Sequence, residues 1–344
     1  MAETIFFQKP LTGGLYSMLE VKNQKKSFSN PTETFPSQKN IFEQTTGHLF
    51  MVKSLTFSLN QESKKDNKFI KENIKIQSPK SKALFEWTAL SDLLLKEGLT
   101  LHIYECLDKE TPDAIFPNNW FSTHRNHDGT KCLCLYPMYL ENRRNEKKES
   151  IIKHLLVGYS EIVDLSLYEK RPSPLFLEGT GSLVLDRPNR RAFAAISKRT
   201  NQDLVKYWAE KFKYKELITF NTSLNNPIYH TNVMMSLGTN FAIVCLDVIE
   251  DKSERKKVQQ KLESSKDLIT ISIQQMESFC ANVIEVKNNF DEPLLVLSSR
   301  AYQSFNNFQL KSLSNHVSKF VHTPLDTIED LGGGGARCLI AELF

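Results

Sequence analysis

The chain has 344 residues, 40% hydrophobic and 24% charged, with a formal net charge of +4. That is the composition of a globular protein able to bury a core, and its lysines are interleaved with acids rather than gathered into a basic stripe for nucleic acid. No apolar run approaches the roughly 18 residues of a transmembrane helix, and the opening MAETIFFQKP lacks the basic-then-apolar order of a secretory signal. Neither nucleic acid nor membrane is expected as a partner.

Residues 1–47 are rich in Lys, Gln, Ser, Thr, Asn and Pro with little periodicity, which predicts a flexible extension. Residues 48–344 are expected to form a single domain. It opens with a strand over 48–59, followed by a lysine-rich loop over 60–82. ALFEWTALSDLLLKEG, from Ala83 to Gly98, spaces its apolar residues three and four apart and predicts an amphipathic helix. LTLHIYEC then alternates as a strand.

The later chain repeats a theme. A short segment with small or amide residues leads into a strand, a turn, a second strand and a helix. The instances are PNNWFSTHRNHDGTKCLCLYP, EGTGSLVLDRPNRRAFAAIS, HTNVMMSLGTNFAIVCLDV, ANVIEVKNNFDEPLLVLSS and the terminal ARCLIAELF. TNQDLVKYWAEKFKY, SERKKVQQKLESS and SFNNFQLKSLSNHV read as intervening helices. Such a period fits a radial array of α/β units, which would bring the polar heads together, or an ordinary α/β sheet; periodicity favours α/β and does not choose.

Six cysteines (Cys106, Cys132, Cys134, Cys245, Cys280, Cys338) are spread widely. C-x-C in KCLCL places Cys132 and Cys134 on one strand face, which is neither a zinc spacing nor a redox pair, so reduced thiols and a cytoplasmic location are expected. The eight histidines form no ligand cluster, and no metal is expected.

The chemistry-bearing residues sit at the heads of the repeats. Cys338 follows GGGGAR, where glycines permit close backbone approach and Arg337 is a fixed cation that would favour an exposed thiolate. Glu178 precedes Gly179 and Gly181 at a strand start. His230 lies between apolar segments in IYHTNVMM. The three together supply a nucleophile, an acid/base and an orienting carboxylate. Asp113, Asn118 and Asn119 in PDAIFPNNW offer donors and acceptors to a polar ligand, and Arg143, Arg144 and Arg199 offer forks for a carboxylate.

FPNNW, PMYLENRR, LEGTGSLVLDR, YHTNVMM and GGGGARCLIAEL resemble the citrulline-utilisation hydrolase group of the amidinotransferase and arginine deiminase superfamily. ISKRTNQ resembles the matching stretch of dimethylarginine dimethylaminohydrolases. The resemblance runs from about His48 to Phe344. It implies a five-bladed β/α propeller (pentein-type) and a cofactor-free enzyme acting on a guanidino or ureido carbon through a cysteine adduct. By the same resemblance Cys338 is the nucleophile, His230 the general acid/base, and Glu178 the carboxylate that binds substrate nitrogens and pairs with the histidine. Arg199 and one of Arg143 or Arg144 would hold the α-carboxylate of an amino-acid substrate, with Asp113 also contacting it. Asn119 and Asn232 stand where arginine deiminases carry aspartates. Two amides in place of two carboxylates favour a neutral ureido group over a guanidinium cation, hence citrulline over arginine, although Asp113 or Asp186 is available to restore the charge. Arginine or methylarginine hydrolysis, amidine transfer and a non-catalytic binding role are the alternatives.

Overall fold

The middle strand of each repeat explains the architecture. Residues 49–52, 132–135, 192–195, 241–244 and 294–297 are buried without interruption. A strand covered on both faces reads as a continuous apolar run rather than an alternation, and such strands need a partner on each edge and a layer on each side. The computed structural model, which describes residues 18–21, 42–71, 76–223 and 227–344, supplies both.

The strands form five small sheets, each with its apolar strand central. In the second, Phe121–Arg125 pairs antiparallel with Lys131–Leu135, which pairs parallel with Glu161–Asp164. The third repeats this with Val184–Asp186, Arg191–Ala195 and Glu216–Phe220. The fourth uses Met235–Leu237, Phe241–Val244 and Asp267–Thr270, and the fifth Ile284–Lys287, Pro293–Ser298 and Lys319–Thr323. Antiparallel pairs are joined by tight turns. Parallel pairs require crossovers, and these carry the helices, among them Pro79–Lys96, Gln202–Lys211, Lys252–Glu263 and Asn307–Ser314.

The first sheet brings together the strand at 48–54 and the C-terminal strand at 341–342. Its central strand His48–Ser54 pairs parallel with Thr100–Cys106 and antiparallel with the C-terminal Ala341–Glu342. The strand after Cys338 is thus the first strand of the unit that residue 48 begins. Met18–Val21 adds a fourth strand on Thr100–Cys106; the remainder of the expected extension, apart from 42–47, lies outside the described residues.

Two elements depart from expectation. The first helix begins at Pro79, four residues before the periodic segment, because proline's fixed φ suits a first helical turn. The lysine-rich stretch after residue 59 is more than a solvated loop: Asn60, Ser63, Asn67, Phe69 and Ile70 are buried, with a short 3-10 turn at Ser63–Lys65. Its lysines face out while its small polar residues face in. Among the described residues, no helix is long and apolar enough to cross a membrane.

Candidate active site

Each repeat puts a short turn before its first strand: Pro117–Asn119, Gly179–Ser182, Thr231–Val233, residues 281–283 and Ala336–Leu339. The turn 179–182 packs against both 117–119 and 231–233, and 117–119 packs against 336–339. Residues distant in sequence therefore meet at one buried centre. Glu178, His230, Asn119, Asn232 and Cys338 are all at most 3% exposed.

Two glycines make this convergence possible. Gly179 takes φ +48°, and a Cβ there would lie 2.4 Å from the Asn118 carbonyl oxygen. A Cβ on Gly181 would lie 2.5 Å from Asn119 Nδ2 and 2.8 Å from His230 Nδ1. Real Cβ atoms tolerate neither approach, so the E-G-T-G run exists to let three turns touch.

His230 Nε2 and Glu178 Oε2 are 2.7 Å apart. Glu178 Oε1 accepts the Tyr139 amide at 2.9 Å, and Arg199 Nη1 donates to Oε2 at 3.3 Å. Both carboxylate oxygens thus have partners, which suits Glu178 to orienting the imidazole. Burial by itself pushes such a carboxyl up, but Arg199, His230 and Arg143 outweigh it and hold Glu178 well below the usual carboxylate range. For His230 burial dominates: its pKa is lowered despite Glu178, with Arg199 and Arg143 pushing the same way as burial. The resting imidazole is neutral, with Nε2–H on Glu178 and Nδ1 facing Gly181.

Cys338 sits in a 3-10 turn that leads into the strand Ala341–Glu342, and is 3% exposed. The Arg337 charge favours the thiolate, as its sequence position suggested, although burial outweighs it. Its guanidinium turns away to the Ile340 carbonyl (2.7 Å) and Glu342 (3.0 Å), because a buried fork needs fixed acceptors. The thiol is pushed up by burial, opposed by hydrogen bonds from Asn282 and Asn232 and by the charges of Arg337 and Arg143. The resting pair is therefore thiol and neutral imidazole. Asn282 was missed in the sequence, although it heads the ANVIE repeat as His230 and Cys338 head theirs. Its Oδ1 accepts the Gly335 amide (2.9 Å), and its Nδ2 donates to the Asn232 carbonyl (3.0 Å) and to Cys338 Sγ (3.2 Å).

The arginines divide by environment. Arg143 is buried, donating to Glu146 through Nε and Nη2 (2.8 and 2.9 Å), to Asn119 Oδ1 through Nη1 (2.9 Å) and to the Phe116 carbonyl (3.2 Å). Arg144 is partly exposed, held by the Met138 and Tyr139 carbonyls. Arg199 is gripped by Asp66 through Nε and Nη2 (2.9 and 2.5 Å). Asp66 went unnoticed because it lies in the lysine-rich stretch. Asp113 Oδ2 accepts from Asn60 (2.8 Å) and Ser63. Asp186 does not supply charge here: it pairs with Lys266 at 3.3 Å and with Asn189, in a separate buried ion pair.

Several buried polar atoms at the centre have no hydrogen-bond partner among the described residues: Asn119 Nδ2, Asn232 Oδ1, Asp113 Oδ1 and both side-chain polar atoms of Asn118. Buried polar groups are normally paired, so a cluster of orphans marks a place shaped for a ligand with both donors and acceptors. All six cysteines are free and buried, and among the described residues no group of three His, Cys, Asp or Glu is placed to hold a metal.

Comparison with known proteins agrees with this geometry. No curated protein is significantly similar in sequence. Among solved structures, ArgZ, an arginine dihydrolase from the ornithine-ammonia cycle in Cyanobacteria, superposes with a TM-score of 0.67 at 18% identity, over 86% of this chain. This chain spans 40% of the full-length ArgZ chain, and 97% of its N-terminal domain, solved bound to substrate, at a TM-score of 0.68. A dimethylarginine dimethylaminohydrolase adduct with 4-chloro-2-hydroxymethylpyridine matches with a TM-score of 0.61 at 14% identity, over 87% of this chain and 100% of that one. At such identities the likeness is one of fold. The model of the eukaryotic N,N-dimethylarginine dimethylhydrolase family matches residues 53–344, and the chain belongs to that family, within the amidinotransferase and arginine deiminase superfamily.

Proposed function

We propose that the five units close into a β/α propeller whose centre hydrolyses the ureido group of citrulline, giving ornithine, ammonia and carbon dioxide. One observation carries the substrate choice. Asn119 presents an unpartnered donor, Nδ2, and Asn232 an unpartnered acceptor, Oδ1, both buried and beside the His230 and Cys338 turns. A ureido carbonyl accepts from the first and a ureido NH₂ donates to the second, whereas the terminal nitrogens of a guanidinium offer donors only.

His230 Nδ1 takes the proton of Cys338 as sulfur attacks the ureido carbon, and Asn119 Nδ2 receives the developing oxyanion. His230 then gives that proton to the departing ornithine amine as the C–N bond breaks, leaving an S-carbamoyl cysteine. Water, deprotonated by His230, displaces the thiol and releases carbamate, which decomposes to ammonia and carbon dioxide. Glu178 holds the imidazole through both protonation states. Arg199 and one of Arg143 or Arg144 receive the α-carboxylate, with Asp113, Asn118 and Asp66 lining the approach.

A second reading, hydrolysis of arginine or a methylated arginine, is favoured by the family and by the carboxylates Glu178, Asp66, Asp113 and Glu146 set against Arg143 and Arg199. The purified protein incubated with citrulline and arginine in parallel, beside a Cys338→Ala control, separates them. Ornithine and ammonia from citrulline, absent in the control, are expected. Citrulline formed from arginine at an equal or greater rate overturns the substrate assignment.

A further inference from the structure

The glycine run 332–335 leads into the turn that carries Cys338. A stretch without side chains has more backbone freedom than any other, so its position must be fixed from outside. Its two ends are tied through amides. The Gly333 amide, on a residue with φ +64°, donates to the Glu329 carbonyl at 2.9 Å, and the Gly335 amide donates to Asn282 Oδ1 at 2.9 Å. Between them the Gly333 carbonyl accepts the hydroxyl of buried Tyr229 at 2.7 Å and, more weakly, Asn67 Nδ2 at 3.4 Å. Asn67 is held in that sense, because its Oδ1 accepts the Phe69 amide at 3.0 Å and its Nδ2 also donates to the Gly332 carbonyl at 3.3 Å. The tethered stretch backs directly onto the thiol. A Cβ built on Gly334 would lie 3.1 Å from Cys338 Cβ and 3.2 Å from Sγ, so a displacement of the run reaches sulfur. The bonds that support sulfur, from Asn282 at 3.2 Å and Asn232 at 3.5 Å, are long enough that a small movement loses them. The Tyr229 ring also lies against the His230 ring, with centroids 4.5 Å apart.

We propose that Tyr229, seconded by Asn67, is a positioning residue for the nucleophile: its hydroxyl pins the Gly333 carbonyl and so keeps Cys338 in register with Asn282 and Asn232. The inference rests on the reading of Cys338 as the nucleophile, and not on which substrate it attacks. Buried tyrosines bond a carbonyl in many proteins for no reason beyond their own satisfaction. What distinguishes this one is where the carbonyl lies: in a run of glycines, between two amide tethers, and one residue before the backbone that packs on sulfur.

The test compares the whole chain as wild type, Tyr229→Phe, Asn67→Ala, Asn282→Asp and the double variant Tyr229→Phe/Asn282→Asp, with Cys338→Ala as the blank. Tyr229→Phe removes one oxygen and keeps the ring against His230. Thiolate absorbance titrated against pH is expected to move to higher pH in that variant, the thiolate fraction at a given pH falling about threefold or more. With whichever of citrulline and arginine the wild type hydrolyses, kcat is expected to fall about 10-fold while KM stays within about twofold. Because Tyr229 and Asn282 tether one loop, the double variant should lose less than the product of the two single losses. Asn67→Ala should move the titration the same way by a smaller amount. A titration and kcat equal to wild type in Tyr229→Phe, with only the unfolding temperature lowered, makes the hydroxyl purely structural and overturns the inference. Losses that multiply in the double variant overturn it equally. Should Tyr229→Phe not fold, Asn67→Ala decides, and a wild-type titration and kcat there overturn it. The titration needs no substrate, so it decides even where neither compound is turned over. Turnover retained in Cys338→Ala removes the nucleophile reading and this inference together, whereas the other failures leave that reading standing.

Discussion

Replacing Asn282 by aspartate isolates the support beneath the thiol. The change is isosteric, and one carboxylate oxygen still accepts the Gly335 amide now bound at 2.9 Å. What it removes are two donated hydrogen bonds, to Cys338 Sγ at 3.2 Å and to the Asn232 carbonyl at 3.0 Å. A hydrogen bond to an ionised partner is worth about 1.5–3 kcal/mol, so losing the first reduces the thiolate population at a given pH roughly 10- to 100-fold. The added negative charge acts in the same direction. The second loss faces the Asn232 carbonyl with a carboxylate and disturbs the amide that donates to sulfur at 3.5 Å. Thiolate absorbance titrated against pH, with Cys338→Ala as the blank, reads the first effect; kcat/KM reads both. A titration moved to higher pH and kcat/KM lowered at least 10-fold are expected, with KM little altered. A titration curve superimposable on wild type would refute the claim that Asn282 supports the nucleophile.

Gly181→Ala introduces a methyl group 2.5 Å from Asn119 Nδ2 and 2.8 Å from His230 Nδ1, so turnover should fall at least 100-fold while thermal unfolding shifts only modestly; near-normal activity would show that the turns do not meet as described. The pH profile of kcat/KM should be a broad bell. Protonating His230, whose pKa is lowered from 6.5, removes the base on the acid side, and ionising Cys338, whose pKa is raised from 9.0, removes the transferable proton on the alkaline side. A profile still rising above pH 9 would contradict a resting thiol. Glu329, fully buried behind the glycine run, is pushed up to about 8 by burial, with Ser298 and Arg300 opposing and Asp326 and Asp330 reinforcing. Because its folded pKa lies above its unfolded one, the stability it confers is complete below about pH 4.5 and is lost as pH rises through about 8. Glu329→Gln should therefore unfold at higher urea than wild type at pH 8.5, with a smaller difference at pH 6, and parallel curves at the two pH values would count against the assignment.

Sequence alone determined what is local. The recurring polar head before each unit's first strand marks Glu178, His230 and Cys338 without any coordinates. Periodicity left the choice between a radial array and an open sheet undecided, because both use the same local elements. The pairing of 341–342 with the strand at 48–54 is a contact nearly 300 residues long, and no window of sequence contains it. The electrostatics were equally non-local. Adjacency in sequence put Arg337 beside Cys338, but in a turn the side chains diverge, and Arg337 spends its donors on Ile340 and Glu342. The groups that do touch sulfur, Asn232 and Asn282, arrive from two other units. Burial then reversed the expected thiol shift, since removing a charge from water outweighs a few hydrogen bonds and distant cations. Likewise Arg143 and Arg144 are chemically identical neighbours, and only tertiary packing makes one a buried partner of Glu146 and Asn119 and leaves the other partly exposed. Residue type and spacing fixed which chemistry was available. Which face each polar group turns to the centre, and whether it is charged there, depended on partners brought in by the fold.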